Sequence, residues 1–145
     1  MKLLSICKAK IHRATATDAS LDYIGSIAID SDLLERTNIL PGEKVHVWNV
    51  ANGARFETYA LPAPAGSGHI VVNGAAAHHV RPGDKLIIVA FVLTDEVITP
   101  RMILVDEQNR FVEWLGDNRL PSEPDLAPDL LAPARELMIS DSSNP

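Results

Sequence analysis

Hydrophobic and polar positions along residues 1–115 change character every few residues, in runs of strand length separated by turn-forming residues. Leu3 to His12 predicts a first strand and Ser26 to Ile29 a second. Ser31 or Asp32 can cap a short helix through about Thr37, with Glu35 three places after Asp32 as in a capping box. Pro41-Gly42 turns the chain into Lys44–Val50, where Val45 and Val47 alternate with His46 and Trp48. Asn52-Gly53 predicts a type I′ hairpin turn leading into Arg55–Leu61. A loop rich in Pro, Gly and Ser covers residues 62–68, ahead of a strand at His69–Val72. Pro82-Gly83 introduces the apolar strand Lys85–Leu93, and Arg101–Val105 with Arg110–Trp114 predicts a last hairpin around Asp106–Asn109. Many short strands, frequent turns and little helix predict a compact, mainly β barrel with one or two short helices.

The last thirty residues break the pattern. Five of the ten prolines fall there, and residues 116–145 hold six acids against two bases. Such a segment offers too little apolar surface to offset its ordering entropy, so a disordered acidic tail is expected, with a transient turn or helix at Asp129–Ile139. At 145 residues and 46% hydrophobic content, the remainder forms one domain with its own core.

Charge and cysteine content narrow the function classes. A net charge of -6 and an aromatic content of 5% argue against a nucleic-acid partner, which needs clustered cations and stacking rings. Cys7 is the single cysteine, which excludes an intramolecular disulfide and suits a reducing cytoplasm. The N-terminal apolar run is interrupted by Ser5 and stopped by Lys8 and Lys10, too short for an export signal. The longest apolar stretch, Leu86 to Leu93, suits a buried strand and cannot span a bilayer as a helix. A soluble cytoplasmic protein acting on a small polar metabolite is the expectation.

No Walker loop, dinucleotide fingerprint, zinc-protease helix or hydrolase elbow occurs. The histidines (12, 46, 69, 78 and 79) lack the spacing of a metal site, and adjacent His78 and His79 would point apart on an extended chain, so no metal is expected. Tyr23-Ile24-Gly25-Ser26 stands out by its company. It occurs in order with Lys10-Ile11-His12-Arg13, Ala28-Ile29-Asp30, Val47-Trp48-Asn49-Val50, Asn52-Gly53, Arg55-Phe56, Thr58-Tyr59-Ala60 and Val72-Asn73-Gly74-Ala75-Ala76-Ala77-His78. A Gly-Ser pair alone is ordinary turn chemistry. The ordered set resembles the pyruvoyl-dependent aspartate 1-decarboxylases over about residues 1–93, with a weaker match through the final hairpin and tail.

The resemblance implies a double-psi β-barrel assembled as a homotetramer, and a chain that cuts itself between Gly25 and Ser26. Residues 1–25 and 26–145 become two chains, the second headed by a pyruvoyl group made from Ser26. It further implies that this covalent cofactor forms a Schiff base with L-aspartate and releases β-alanine and carbon dioxide, supplying pantothenate and coenzyme A synthesis. Thr58 matches the residue that assists cleavage and binds substrate, and Tyr59 the proton donor. Arg55, Gly74, Ala75 and Ala76 match substrate-binding positions. Lys10, Asn73 and Trp48 are further candidates for anchoring substrate or lining the site, and His12 a candidate neighbour of the cleavage point. Lys8 is expected to be a solvated surface charge.

The residue types fit that chemistry. Decarboxylating an α-amino acid needs an electron sink that no ordinary side chain supplies. Gly25 can adopt a strained backbone that lets the Ser26 hydroxyl approach. Arg55 can grip a carboxylate through two parallel hydrogen bonds. A regular strand would turn Thr58 and Tyr59 to opposite faces, so a bulge or strand end is expected there. Two other readings stay open: a pyruvoyl decarboxylase acting on another acidic amino acid such as glutamate, and an uncleaved β-barrel binding module.

Overall fold

The strand Lys44–Asn49 buries Val45, Val47 and Asn49 and turns Lys44, His46 and Trp48 outward, the period-2 pattern of a half-buried strand. The computed structural model describes residues 1–116. Within them the strands are β1 (Leu4–Thr15), β2 (Asp18–Ser20), β3 (Ser26–Asp30), β4 (Lys44–Asn49), β5 (Arg55–Ala63), β6 (Ile70–Asn73), β7 (Lys85–Thr94), β8 (Arg101–Val105) and β9 (Phe111–Trp114). One α-helix, α1 (Ser31–Thr37), and a 3₁₀ helix at Gly74–His79 complete the elements. The expected tail, with its turn or helix at residues 129–139, lies outside the described residues.

The strands run in the order β2-β6-β3-β5-β4-β7-β1-β8-β9 and form a small β-barrel. β1 is held on both edges, antiparallel to β7 and parallel to β8. β3 is likewise held, parallel to β5 and antiparallel to β6. With β2 parallel to β6, the described strands make three parallel pairs, each between strands that are not consecutive in sequence. Ile11, Ile27, Ile29, Val45, Val47, Ile70, Val72, Leu86, Ile88 and Ile103 are fully buried in the core. Each such side chain contributes about 1.5–3 kcal/mol on leaving water.

The expected strands are all present, with small shifts at their ends. The turn chemistry differs in two places. The helix cap is Asp30, whose side chain accepts from Asp32 N–H at 2.9 Å, rather than Ser31 or Asp32. The connection at Asn52-Gly53 is not a type I′ turn, because Gly53 has φ +73° and Asn52 is not among the positive-φ residues. Instead Gly53 N–H donates to the Asn49 carbonyl across a wider loop. β2 and the 3₁₀ helix were not expected from the periodicity.

Two polar residues tie the loops to the barrel. Asp30, 1% exposed, also accepts backbone N–H groups from Gly66 at 3.0 Å and Gly68 at 2.8 Å, with Arg110 Nη1 3.7 Å away. Burial alone would raise its pKa. The three N–H donors and the Arg110 charge outweigh that and leave it below the usual carboxylate value. Asn109 is equally buried. Its side chain accepts from Thr15 N–H at 2.7 Å and donates to the carbonyls of Thr15 and Gly68 at 2.9 and 2.8 Å. The last hairpin is thereby fastened to β1 and to the 62–68 loop.

Candidate active site

Ser26 opens β3 and is fully buried, opposite Asn73 at the end of β6. The Asn73 side-chain amide donates to Ser26 Oγ in a long hydrogen bond of 3.4 Å. Ile27, one residue on, pairs with Val72 and Ala60, all in the core. Alternation therefore turns Ser26 and Asn73 to the opposite face of the sheet. Continuing the parallel β3–β5 register back one residue sets Tyr59 beside Ser26 on that same face, where the residue is 38% exposed.

The backbone at the Gly25-Ser26 junction is close-packed for a reason that lies elsewhere in the chain. Gly25 does not have positive φ, and a methyl placed on it would meet nothing closer than the Asn73 carbonyl oxygen at 4.0 Å. The expectation of strain at Gly25 is therefore not met. Gly74 carries the constraint: its φ is +71°, and a methyl there would lie 2.7 Å from Gly25 Cα and 3.0 Å from Gly25 N. Residues 21–24 run into the junction with Tyr23 and Ile24 strongly exposed.

Other candidates take different positions. Along β5, Thr58 lies opposite buried Val45, and Tyr59 opposite exposed Lys44, with no register shift between β4 and β5. The expected bulge is absent, so Thr58 and Tyr59 point to opposite faces. Ala75 and Ala76 follow Gly74 in the first turn of the 3₁₀ helix. That puts three backbone N–H groups next to Ser26's partner Asn73, in a turn whose leading N–H groups lack intrahelical acceptors.

Arg55 and Trp48 form a separate group. The Arg55 guanidinium stacks over the Trp48 ring at 4.5 Å, on the outer side of β4 and β5. Both line a cleft of about 410 Å³ together with His46, Glu57 and Phe91. Ser26, Tyr59 and Asn73 are not among its walls. Arg55 lies four residues before Tyr59, about 13 Å along the strand. Nearby, Lys44 donates to Glu57 at 2.9 Å, and this contact first, then the Lys44 charge, holds the Glu57 carboxyl below its usual value.

Lys10 is half-buried on β1, opposite Val89 and Met102. Its charge acts on two neighbours. His12 is held below its usual pKa by burial first, then by Lys10 and Arg13, and its Nδ1 is buried without a partner. Cys7 is raised by burial, with Lys10 opposing. Lys8 is not the solvated charge expected: it pairs with Glu43, and both side chains are mostly buried. Neither periodicity nor motif assigned a role to Asp30 or Asn109, whose long-range hydrogen-bond partners lie 36 to 94 positions away.

The family described as aspartate decarboxylase matches residues 2–112, which takes in β8 and the start of β9 as well as the region before Leu93. The aspartate 1-decarboxylase of Carboxydothermus hydrogenoformans is 52% identical over 114 residues, covering 76% of this chain and 90% of its own. That of Pelotomaculum thermopropionicum is 47% identical over 130 residues, covering 86% and 98%. That of Heliobacterium modesticaldum is 50% identical over 109 residues, covering 72% and 83%. A family model that spans residues 2–112, and relatives about half identical over most of the chain, mean that the chain belongs to the aspartate decarboxylase family.

Proposed function

We propose that this chain cleaves itself between Gly25 and Ser26, converts Ser26 to a pyruvoyl group, and decarboxylates L-aspartate to β-alanine and carbon dioxide. The observation that carries the cleavage is the fully buried Ser26 hydroxyl, held by Asn73 next to a Gly25 that Gly74 presses into place. The substrate follows from family membership and from the names of the relatives. The product would feed pantothenate and coenzyme A synthesis in the cytoplasm.

In the cleavage, Ser26 Oγ attacks the Gly25 carbonyl carbon as the Gly25–Ser26 C–N bond breaks, and the hydroxyl proton ends on the freed amine. The peptide becomes an ester. Loss of the Ser26 α-proton then expels the Gly25 carboxylate, and water replaces the nitrogen, releasing ammonia. Thr58 is the proposed donor to the Gly25 carbonyl oxygen as charge develops there. Gly25 lies one residue outside β3, so the strand's alternation does not fix which side its carbonyl faces.

The chain's own residues fit the group. Ser26 supplies its atoms from a buried position at the start of β3. The pyruvoyl carbonyl supplies the electron sink for the bond that breaks. Tyr59, on Ser26's face, holds the proton that must reach the carbon left by carbon dioxide. The Gly74, Ala75 and Ala76 amides bind carboxylate oxygen, with Lys10 adding positive charge and Asn73 orienting the site.

Arg55 binds the second carboxylate, and Trp48 holds its guanidinium flat. Because that pair stands about 13 Å along β5 from the Ser26 face, Arg55 of one copy is assigned to Ser26 of a neighbouring copy in a homotetramer. Exposed Leu93, Val97, Leu40 and Val50 supply apolar surface for such an assembly.

The intact mass of the denatured protein, beside a Ser26→Ala control, tests the reading. Two fragments split at residue 25 are expected, the larger about 17 Da lighter than a serine-headed chain through loss of ammonia. A single whole chain after prolonged incubation and after exposure to cell extract would sink it. Assay of the cleaved protein on aspartate and glutamate then separates the substrates.

A further inference from the structure

The Asn73-Gly74 pair touches both ends of the bond proposed to break. Asn73 holds the Ser26 hydroxyl, and Gly74 packs its α-carbon against the backbone of Gly25. Gly25 has room for a side chain, whereas Gly74 has none: a methyl there would also come within 3.3 Å of the Tyr23 carbonyl oxygen. All the atoms it would strike are backbone, so they cannot swing aside as a side chain would. The chain of residues 23–25 would have to move. We infer that Gly74 is a positioning residue for the cleavage, acting as a backstop that keeps the Gly25 carbonyl within reach of Ser26 Oγ. This role concerns the uncut chain and is separate from substrate binding by the Gly74 amide; it rests on the proposed cleavage.

The attack closes a five-membered ring through Ser26 Oγ, Cβ, Cα and N and the Gly25 carbonyl carbon. The oxygen is held by a side chain from residue 73 and the carbonyl end by the backbone of residue 74. Displacing one end by an ångström removes the approach geometry on which such a reaction depends. A side chain at position 74 does this without altering any group that reacts.

Gly53 provides the control. Its φ of +73° nearly equals that of Gly74, and a methyl there meets nothing within 4 Å. Gly53→Ala thus carries the same backbone penalty without the contact. Both variants and the wild type would be purified as full chains, followed by intact mass over time and by thermal melting. Wild type and Gly53→Ala should cleave at similar rates, and Gly74→Ala about 100-fold more slowly with a melt close to that of Gly53→Ala. Hydroxylamine applied briefly at neutral pH in the cold, which cuts esters and leaves the Asn52-Gly53 and Asn73-Gly74 bonds that it attacks in warm alkali, should release residues 1–25 early from wild type and not from Gly74→Ala, because the block precedes the ester. Equal cleavage rates in the two variants would overturn the inference. So would a Gly74→Ala chain that fails to fold beside a folded Gly53→Ala, since the contact would then serve the fold. An uncleaved wild type would instead count against the function proposed above.

Discussion

Asn73 donates its side-chain amide to the hydroxyl of Ser26 across 3.4 Å, and the two residues face each other in the antiparallel pairing of β6 with β3. The contact is buried, so losing it leaves the hydroxyl free to rotate away from Gly25. Asn73→Ala is expected to slow cleavage by about 10-fold, the equivalent of one net hydrogen bond. The mass time course measures it, and an unchanged rate would remove Asn73 from the cleavage apparatus.

Asp30 gives a pH-dependent prediction. Its folded pKa lies below the unfolded value, so the stability it contributes is present above about pH 4 and is lost as pH falls through the folded pKa. Asp30→Asn should lower stability at pH 7 by about 1–3 kcal/mol, the range for stranding buried donors. The gap between variant and wild type should narrow in denaturant melts taken below pH 4. A gap independent of pH would mean that the carboxylate charge is not what holds the loop.

Tyr59→Phe keeps the ring on β5 and removes the proton. The variant should still be cleaved at residue 25, while kcat for aspartate falls about 100-fold or more with a smaller change in KM. Retained kcat would move the proton donor elsewhere.

Arg55 and Ser26 can be tested for service across copies. Ser26→Ala and Arg55→Ala proteins should each be inactive, and co-assembly should restore about a quarter of the sites if each draws one residue from each neighbour. No recovery in demonstrably mixed oligomers would place Arg55 outside the site or within its own chain's site.

The barrel was legible where the hydrophobic alternation is strong, as in β4 and β7, and where turn residues cluster, as around Asp106–Asn109. What local pattern could not reveal depends on contacts between distant segments. Asp30 ends a strand and caps the helix locally, and only the fold brings the 62–68 loop to its carboxylate. Six residues at Gly74–His79 are too few to display a helical period. Gly25 was the natural place to expect strain, yet the demand for a glycine falls 49 positions later, at the residue packed against it. Motif order groups Arg55 with Ser26, whereas Arg55 stands four residues along β5 from Tyr59, the residue beside Ser26 in the β3–β5 register.

The placement of β1 has a consequence for the life of the molecule. It is clasped by β7 on one edge and β8 on the other, so the proposed cut after Gly25 would leave residues 1–25 locked in the barrel by two strands made much later in synthesis. On the proposed cleavage, folding of the whole chain would be a unimolecular event completed before the cut. Once cut, a protein that unfolds must recover by the meeting of two separate peptides, at a rate set by their concentration. Maturation would then trade a reversible fold for one guarded by the height of its unfolding barrier, and dilution after denaturation would be enough to tell mature protein from precursor.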